Sequence, residues 1–199
     1  MLKLLGRKTS GNVQKIIFLL EEAGIEYERE DYGRQFENTQ TPEYLVLNPT
    51  AKVPTLKDGD VTIWESHSIL RYLAETKAPL LTGIDAAERS EVERWMDFLL
   101  ATINSGYVTA FKGAKLDPAE RPAGFDAEVA GLHAGMAIIS NHLDGKDTVA
   151  LGKLTIADIA LAPIMGRCLN FPLERPAMPG LEAWFAKIAE RPAFKAATT

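Results

Sequence analysis

The stretch Val53-Pro-Thr-Leu-Lys-Asp-Gly-Asp-Val-Thr-Ile-Trp64 decides how the first part of the chain folds. Two extended runs, residues 53–57 and 61–64, are joined by Asp58-Gly59, which is a strong signal for a hairpin of antiparallel strands. Pro54 has no backbone N–H to donate to a ladder, so it can lie only at the first position or at an edge of its strand. The stretch therefore predicts a two-stranded antiparallel ladder.

The residues on either side of this hairpin predict a small α/β domain. Residues 2–5 are predicted to form a short apolar strand, residues 12–23 an amphipathic helix, and residues 25–29 a strand with one solvent-exposed face. A short helix begins at Thr41-Pro42-Glu43, and Ser66 can cap another helix directly after the hairpin. The predicted order of elements is β-α-β-α-β-β-α.

From residue 85 onward, apolar residues recur at helical spacing and the strand patterns end. The predicted helices cover residues 92–107, 125–143, a stretch that begins at 154, and 180–194. In the third of these helices Thr155 is the N-cap, and Asp158 reaches back to complete a capping box. Capping explains both of these residues, so we assign them a structural role.

These patterns together predict an α/β domain followed by an all-α domain. The chain has 199 residues, which suffices for one large domain or two small ones with a full hydrophobic core. We place the α/β domain at residues 1–78, a linker at 79–84 and the all-helical domain at 85–199.

Composition excludes several classes of protein. The net charge is −5, from 22 basic and 27 acidic residues, whereas nucleic-acid binders show a basic excess. No run approaches the roughly 18 apolar residues of a membrane span, and the apolar start of the chain is too short for a signal peptide. Cys168 is the single cysteine, which fits a reducing compartment. We therefore expect a cytoplasmic protein that binds neither nucleic acid nor membrane. The three histidines lack metal-ligand spacing, so no metal site is expected.

Five strings, in the order found here, resemble the soluble glutathione S-transferases. They are Asn48-Pro-Thr-Ala-Lys-Val-Pro-Thr-Leu56, Trp64-Glu-Ser66, Ile69-Leu-Arg-Tyr-Leu73, Thr155-Ile-Ala-Asp158 and Glu190-Arg-Pro-Ala193. The resemblance spans nearly the whole chain and is to bacterial serine-type members, theta- or beta-like. It implies a thioredoxin-like N-terminal domain that binds glutathione, a C-terminal helical-bundle domain that holds the electrophile pocket, and a homodimer.

The resemblance makes Ser10 the candidate catalytic residue, because serine-type members place their hydroxyl between the first strand and the first helix. A hydroxyl donor and the positive end of a helix both stabilise a thiolate. A serine in this place can also be a plain N-cap. Thr9 is the main rival donor, and Asn12 could contribute an amide. With Thr9, Ser10 and Gly11 at this site, a covalent cysteine-type cycle is excluded, and tyrosine-type chemistry is doubtful.

The same resemblance implies how glutathione would be held. Val53 precedes the family's cis-proline, and its backbone N–H and C=O would pair with the extended tripeptide as an added strand does. Glu65 would bind the α-ammonium of the ligand, while Ser66 and the helix N-terminus would receive its α-carboxylate. Lys52 would meet the second carboxylate, and Asn12 is a further candidate contact. The alternative is a purely structural role, in which Glu65 is an acidic residue and Ser66 a cap at the start of a helix.

Tyr107 and Phe111 are one helical turn apart, for which core packing is the default explanation. In the family this helix faces the second-substrate pocket, so these two residues and Thr9 are candidates for that pocket.

The sequence thus predicts a transferase that adds the thiolate of glutathione, as co-substrate, to a small electrophile, as detoxification enzymes do. The alternatives are a glutathione-dependent isomerase or disulfide reductase on the same fold, and a non-catalytic glutathione-binding protein.

Overall fold

The computed structural model describes all 199 residues, which form two compact units. The first unit contains Met1–Thr82 together with Glu190–Thr199, and the second contains Gly83–Ala189. None of the helices combines the length and the apolar character that crossing a membrane requires.

The first unit is built on a four-stranded mixed sheet. Its strands are β1 (Leu2–Leu5), β2 (Tyr27–Glu30), β3 (Thr55–Asp58) and β4 (Val61–Trp64), in the spatial order β2-β1-β3-β4. The central strand β1 runs parallel to β2 and antiparallel to β3, which in turn pairs antiparallel with β4. Gly59, with φ at +59°, opens the two-residue turn between β3 and β4, a conformation that glycine adopts at little cost. The predicted hairpin is confirmed.

Nine α-helices surround or follow this sheet. They are α1 (Gly11–Glu22), α2 (Pro42–Leu47), α3 (Ser66–Thr76), α4 (Ala86–Phe98), α5 (Asn104–Gly113), α6 (Phe125–His142), α7 (Ile156–Leu169), α8 (Pro179–Ala189) and α9 (Pro192–Thr198). Helices α1, α2, α3 and α9 belong to the first unit, and α4 to α8 belong to the second.

Two strands begin later than the sequence pattern predicts. The ladder of β3 begins at Thr55 instead of residue 53, and β2 begins at Tyr27 instead of residue 25. Pro54 has no N–H, so it cannot donate to the ladder, and the Val53–Pro54 peptide bond is cis. Val53 consequently lies just outside the sheet.

The start of α3 also differs from the prediction. Ser66 is the first helical residue, and Glu65 occupies the N-cap position with φ at +69° and ψ at 119°. The chain turns from the end of β4 at Trp64 into the helix through this one residue. Glu65 therefore adopts a left-handed conformation that is uncommon outside glycine.

The predicted helix over residues 180–194 is two helices, because Pro192 interrupts it. Arg191 is extended, with φ −66° and ψ 130°, as expected for a residue that precedes proline. Helix α9 packs against α1, where the rings of Phe18 and Phe194 meet edge to face at 5.3 Å. Residues 190–199 therefore belong with the first unit, not with the helical domain to which the sequence pattern assigned them.

The helical unit confirms the long amphipathic helix predicted around residues 92–107. Helices α4 and α5 are continuous through a five-residue π-helical segment, Leu99–Ile103. The capping box of α7 is confirmed as well: the Thr155 N–H donates to Asp158 Oδ2 at 3.0 Å, and Thr155 Oγ1 accepts from the Ala157 N–H. The other carboxylate oxygen of Asp158 accepts from Trp184 Nε1 at 3.0 Å.

Candidate functional site

The ends of three strands bring the predicted glutathione-binding residues of the first unit to one end of the sheet. Leu5, the last residue of β1, pairs with Thr55, the first of β3, and Thr55 pairs with Trp64, the last of β4. The segments after β1, before β3 and after β4 therefore emerge side by side. A Cβ on Gly6 would lie 3.3 Å from the Val53 Cβ, which confirms the close approach of two of these segments.

Ser10 lies on the first of these segments, at the N-terminus of α1. Its carbonyl accepts from the Gln14 N–H at 2.9 Å, which starts the helix, and its own N–H donates to the Arg7 carbonyl at 3.1 Å. The side chain makes no capping hydrogen bond, although the residue is only 9% exposed. Capping therefore does not explain this serine, and its O–H lies at the positive end of the helix dipole.

The rival donors are in a different environment. Thr9 precedes the helix and Asn12 lies in its first turn, and both residues are exposed. Hydrogen bonds strengthen where water is excluded, so the shielded position of Ser10 favours it over either neighbour as a donor to a thiolate.

The segment before β3 is fixed by two buried side chains that the sequence reasoning missed. The Tyr44 hydroxyl donates to the Lys52 carbonyl at 2.6 Å, and Asn48 Nδ2 donates to the same oxygen at 2.9 Å. Tyr44 and Asn48 also lie 2.9 and 3.1 Å from Thr55 Oγ1. The backbone of Lys52 is thus anchored while its side chain remains exposed. The Val53 amide and carbonyl make no hydrogen bond to another backbone group.

Glu65 and Ser66 form the third segment. The Glu65 side chain is exposed and makes no capping bond, whereas Ser66 is 4% exposed at the first position of α3. The Glu65 carbonyl accepts from the Ile69 N–H at 2.9 Å. A non-glycine residue with positive φ at a helix start is a conformation that functional sites often retain.

A buried lysine lies on α1, and the sequence reasoning missed it. Lys15 of α1 is 1% exposed, and its Nζ lies 3.0 Å from Nε2 of His67, which is 2% exposed. Burial lowers the pKa of Lys15 to about 7, an effect that the negative charge of Glu65 opposes. Burial and the charges of Lys15 and Arg71 lower the pKa of His67 to about 2. His67 is therefore neutral at pH 7, and its Nε2 shares a hydrogen bond with Lys15 Nζ.

The predicted pocket residues of the second unit belong to a cluster of four side chains, which we call the aromatic cluster: Tyr107, Phe111, Arg167 and Phe171. Arg167 Nη1 donates to the Tyr107 hydroxyl at 3.3 Å. Phe111 is 41% exposed, so the default assignment of core packing does not hold for it. Arg167 and Phe171 were not predicted. Thr9, the third candidate for the pocket, belongs to the first unit.

A mixed four-stranded sheet with helices at the ends of its strands, followed by a separate helical unit, defines the thioredoxin-like and helical-bundle architecture predicted above. The chain matches the family model "Glutathione S-transferase, N-terminal domain" over residues 1–75 and "Glutathione S-transferase, C-terminal domain" over residues 96–192. The chain belongs to the glutathione S-transferase family.

Individual relatives agree with this assignment. Glutathione S-transferase GstB of Escherichia coli is 33% identical over 200 residues, which cover 98% of this chain and 96% of that protein. The theta class glutathione S-transferase of Xanthomonas axonopodis pv. citri, solved with glutathione bound, superposes with a TM-score of 0.93 at 35% identity, covering 100% and 97% of the two chains. Elongation factor 1-gamma of Prunus avium is 31% identical over 159 residues, 76% of this chain and 36% of that protein.

Proposed function

We propose that this chain is a glutathione transferase in which the Ser10 hydroxyl donates to the sulfur of glutathione. The observation that supports this most directly is the Ser10 side chain, which is shielded at the start of α1 and makes no capping hydrogen bond. The likeness over the full chain to a theta class transferase that binds glutathione supports glutathione as the co-substrate.

The tripeptide would lie at the end of the sheet, where the segments after β1, before β3 and after β4 emerge. The Val53 backbone would pair with the extended tripeptide through hydrogen bonds, as an added strand does. Glu65 would bind its α-ammonium, and the buried Ser66 with the N-terminus of α3 would bind its α-carboxylate. The exposed Lys52 side chain would meet the remaining carboxylate as a point charge, and Asn12 would add a polar contact in the first turn of α1.

In the reaction, the glutathione thiol gives its proton to solvent, and the sulfur lone pair forms a bond to the electrophilic carbon. The leaving group departs with the electron pair of the bond that breaks, or an unsaturated acceptor takes up a proton. Ser10 is a donor, not a nucleophile. Lowering a thiol pKa by about two units needs roughly 2.7 kcal/mol of differential stabilisation, and one charge-assisted hydrogen bond together with a helix dipole can supply most of it.

The test is to measure the pKa of the bound thiol, by recording the absorbance of the thiolate against pH in the glutathione complex. Ser10→Ala is expected to raise that pKa by one to two units, and each unit corresponds to roughly 1.4 kcal/mol of lost thiolate stabilisation. Turnover at neutral pH should fall, while the affinity for glutathione stays nearly unchanged. Thr9→Ala and Asn12→Ala are the matched controls, since both residues flank Ser10 and are exposed. A shift in either control, with none in Ser10→Ala, would transfer the role to that residue.

A second candidate function is glutathione binding without catalysis. The likeness to a protein named elongation factor 1-gamma favours keeping it, because a fold does not determine an activity. Such a protein would bind glutathione with the thiol pKa at its solution value. The same titration therefore separates the two functions.

We also propose that the protein is a homodimer. Strand β4 is an edge strand, and it exposes 48% of Val61 and 38% of Trp64; large apolar side chains at an edge favour a protein partner. Light scattering on the purified chain tests this: a mass of one chain at micromolar concentration would contradict it.

A further inference from the structure

The aromatic cluster joins three aromatic rings to one guanidinium. Tyr107 and Phe111 lie one turn apart on α5, Arg167 lies in the last turn of α7, and Phe171 lies two residues beyond that helix. The Tyr107 ring lies 6.0 Å from that of Phe111 and 6.2 Å from that of Phe171, with which it is nearly parallel at 24°. Two helices and the segment after one of them thus converge on one group of rings.

The polar groups of the cluster are directed at the same rings. Arg167 donates to the Tyr107 hydroxyl, and its Cζ lies 5.9 Å from the centre of the Phe111 ring. Because the Tyr107 oxygen accepts from Arg167, the proton of that hydroxyl can be donated elsewhere. A guanidinium and a phenol can therefore donate jointly to one anionic group.

The rings supply the complementary half of a binding site. Phe111 is 41% exposed, so part of its surface is open to a flat ligand, and aromatic rings attract one another in offset or edge-to-face arrangements. A guanidinium recognises a carboxylate through two parallel hydrogen bonds, which adds geometric selectivity to charge. A ligand that satisfies both halves is an aromatic ring that carries a carboxylate.

We propose that the aromatic cluster binds anionic aromatic molecules and that Arg167 makes the enzyme prefer aromatic electrophiles bearing a carboxylate over their neutral counterparts. The preference among electrophiles rests on the proposed function, whereas the binding of such molecules does not. Tyr107 orients the guanidinium and shares the anion with it, while Phe111 provides the stacking surface.

The kinetic test uses two electrophiles that differ only by one carboxylate: a chlorodinitrobenzene with nitro groups on both sides of the chlorine, and the chlorodinitrobenzoate with a carboxylate para to it. In each reaction the glutathione sulfur forms a bond to the ring carbon, chloride leaves with its electron pair, and the thiol proton goes to solvent. The measured quantity is the ratio of kcat/KM for the anionic over the neutral electrophile, after division by the uncatalysed rates.

The wild-type ratio is expected to exceed one, and Arg167→Gln is expected to lower it about tenfold, as loss of one charge-assisted hydrogen bond would. Arg167→Lys keeps the charge and should retain part of the preference. Arg121→Gln is the matched control, because Arg121 also lies over a phenylalanine ring, 4.9 Å from the centre of Phe125, but outside the cluster. Turnover of the neutral electrophile by Arg167→Gln shows that the variant is folded.

A binding experiment separates this inference from the proposed function. Calorimetry compares dinitrobenzoate with dinitrobenzene, neither of which reacts with glutathione by loss of chloride. Tighter binding of dinitrobenzoate that Arg167→Gln abolishes would support the site even if no electrophile were turned over, in which case only the transferase function would fail. Turnover with the same ratio in wild type and Arg167→Gln, or equal binding of the two ligands, would overturn the inference and leave the transferase function standing.

Discussion

Replacing Lys15 by Met tests whether a buried ammonium destabilises this fold at neutral pH. Lys15 is 1% exposed, and burial lowers its pKa from 10.5 to about 7. A shift of this size corresponds to a cost of about 5 kcal/mol for the charged folded state. The groups that face it are Glu65, whose negative charge opposes the shift, and His67, whose pKa is lowered to about 2 so that it is neutral.

The sign of the pH dependence follows from where each state holds the proton. Between pH 7 and 10.5 the unfolded chain keeps the Lys15 proton while the folded chain has lost it, so stability rises with pH. A difference of one full proton contributes about 1.4 kcal/mol per pH unit, and because a group with a pKa of about 7 is half protonated at pH 7, the rise between pH 7 and 9 is about 2 kcal/mol. Cys168 acts in the opposite direction, but only near pH 9: burial raises its folded pKa from 9.0 to about 12, so the unfolded thiol begins to lose its proton there while the folded thiol keeps it.

Lys15→Met keeps the length of the side chain and removes its charge. The variant loses the hydrogen bond with His67, and a buried polar group that is left without a partner costs about 1–3 kcal/mol. Since about 5 kcal/mol of charge burial is removed at the same time, we expect a net gain of about 2 kcal/mol at pH 7 and no rise in stability between pH 7 and 9.

The assay is urea unfolding of the wild type and of Lys15→Met at several values from pH 7 to 9. Lys112→Met is the control, because Lys112 is an exposed lysine of α5 and its removal should leave the wild-type slope unchanged. A wild-type stability that stays constant between pH 7 and 9, or a Lys15→Met variant less stable than wild type at pH 7, would refute the reasoning.

Three further predictions concern how the units and the site are held. Asp158→Ala removes the buried carboxylate that accepts three protein N–H donors, and urea unfolding should show a loss of about 3 kcal/mol or more; a loss below about 1 kcal/mol would contradict this. Phe194→Ala empties the contact with Phe18 and should cost about 3–5 kcal/mol, whereas truncating the chain before α9 without loss of stability would show that this helix does not stabilise the first unit. Tyr44→Phe removes the 2.6 Å bond to the Lys52 carbonyl and should cost about 1 kcal/mol while weakening glutathione binding in calorimetry severalfold; unchanged affinity would separate Tyr44 from the site.

The helices and strands could be predicted from the sequence because each one is marked by an apolar period or a turn residue within its own segment. The apolar spacing of α1 and the hairpin at Asp58-Gly59 depend on nothing outside their own segments. The division of 180–194 into α8 and α9 was equally local, since Pro192 stands in the sequence, but the helical period on both sides obscured it. The packing of α9 against α1 depends on contacts between residues that are far apart in the sequence, as between Phe18 and Phe194.

The candidate site likewise contains residues that the sequence predicted and residues that it did not. Ser10, Glu65 and Val53 could be proposed because the resemblance to the glutathione S-transferases assigns roles to these positions. Phe171 and Arg167 follow from no period, and a half-buried arginine near a helix end looks in sequence like any solvated charge. Lys15 did leave a signal, a basic residue within the apolar run of α1, although an amphipathic pattern alone does not show on which side of the boundary such a residue falls.

Two buried side chains near Pro54 act mainly by holding the backbone in place. Tyr44 and Asn48 are both buried, and both donate to the Lys52 carbonyl, while neither has a side-chain group left on the surface for a ligand. They fix the segment from which the Val53 amide and carbonyl emerge. An extended peptide that pairs with a backbone is bound by main-chain hydrogen bonds, whose geometry is insensitive to the side chain at that position. We therefore expect replacement of the Val53 side chain to change glutathione binding less than removal of the Tyr44 hydroxyl or of the Asn48 side-chain amide.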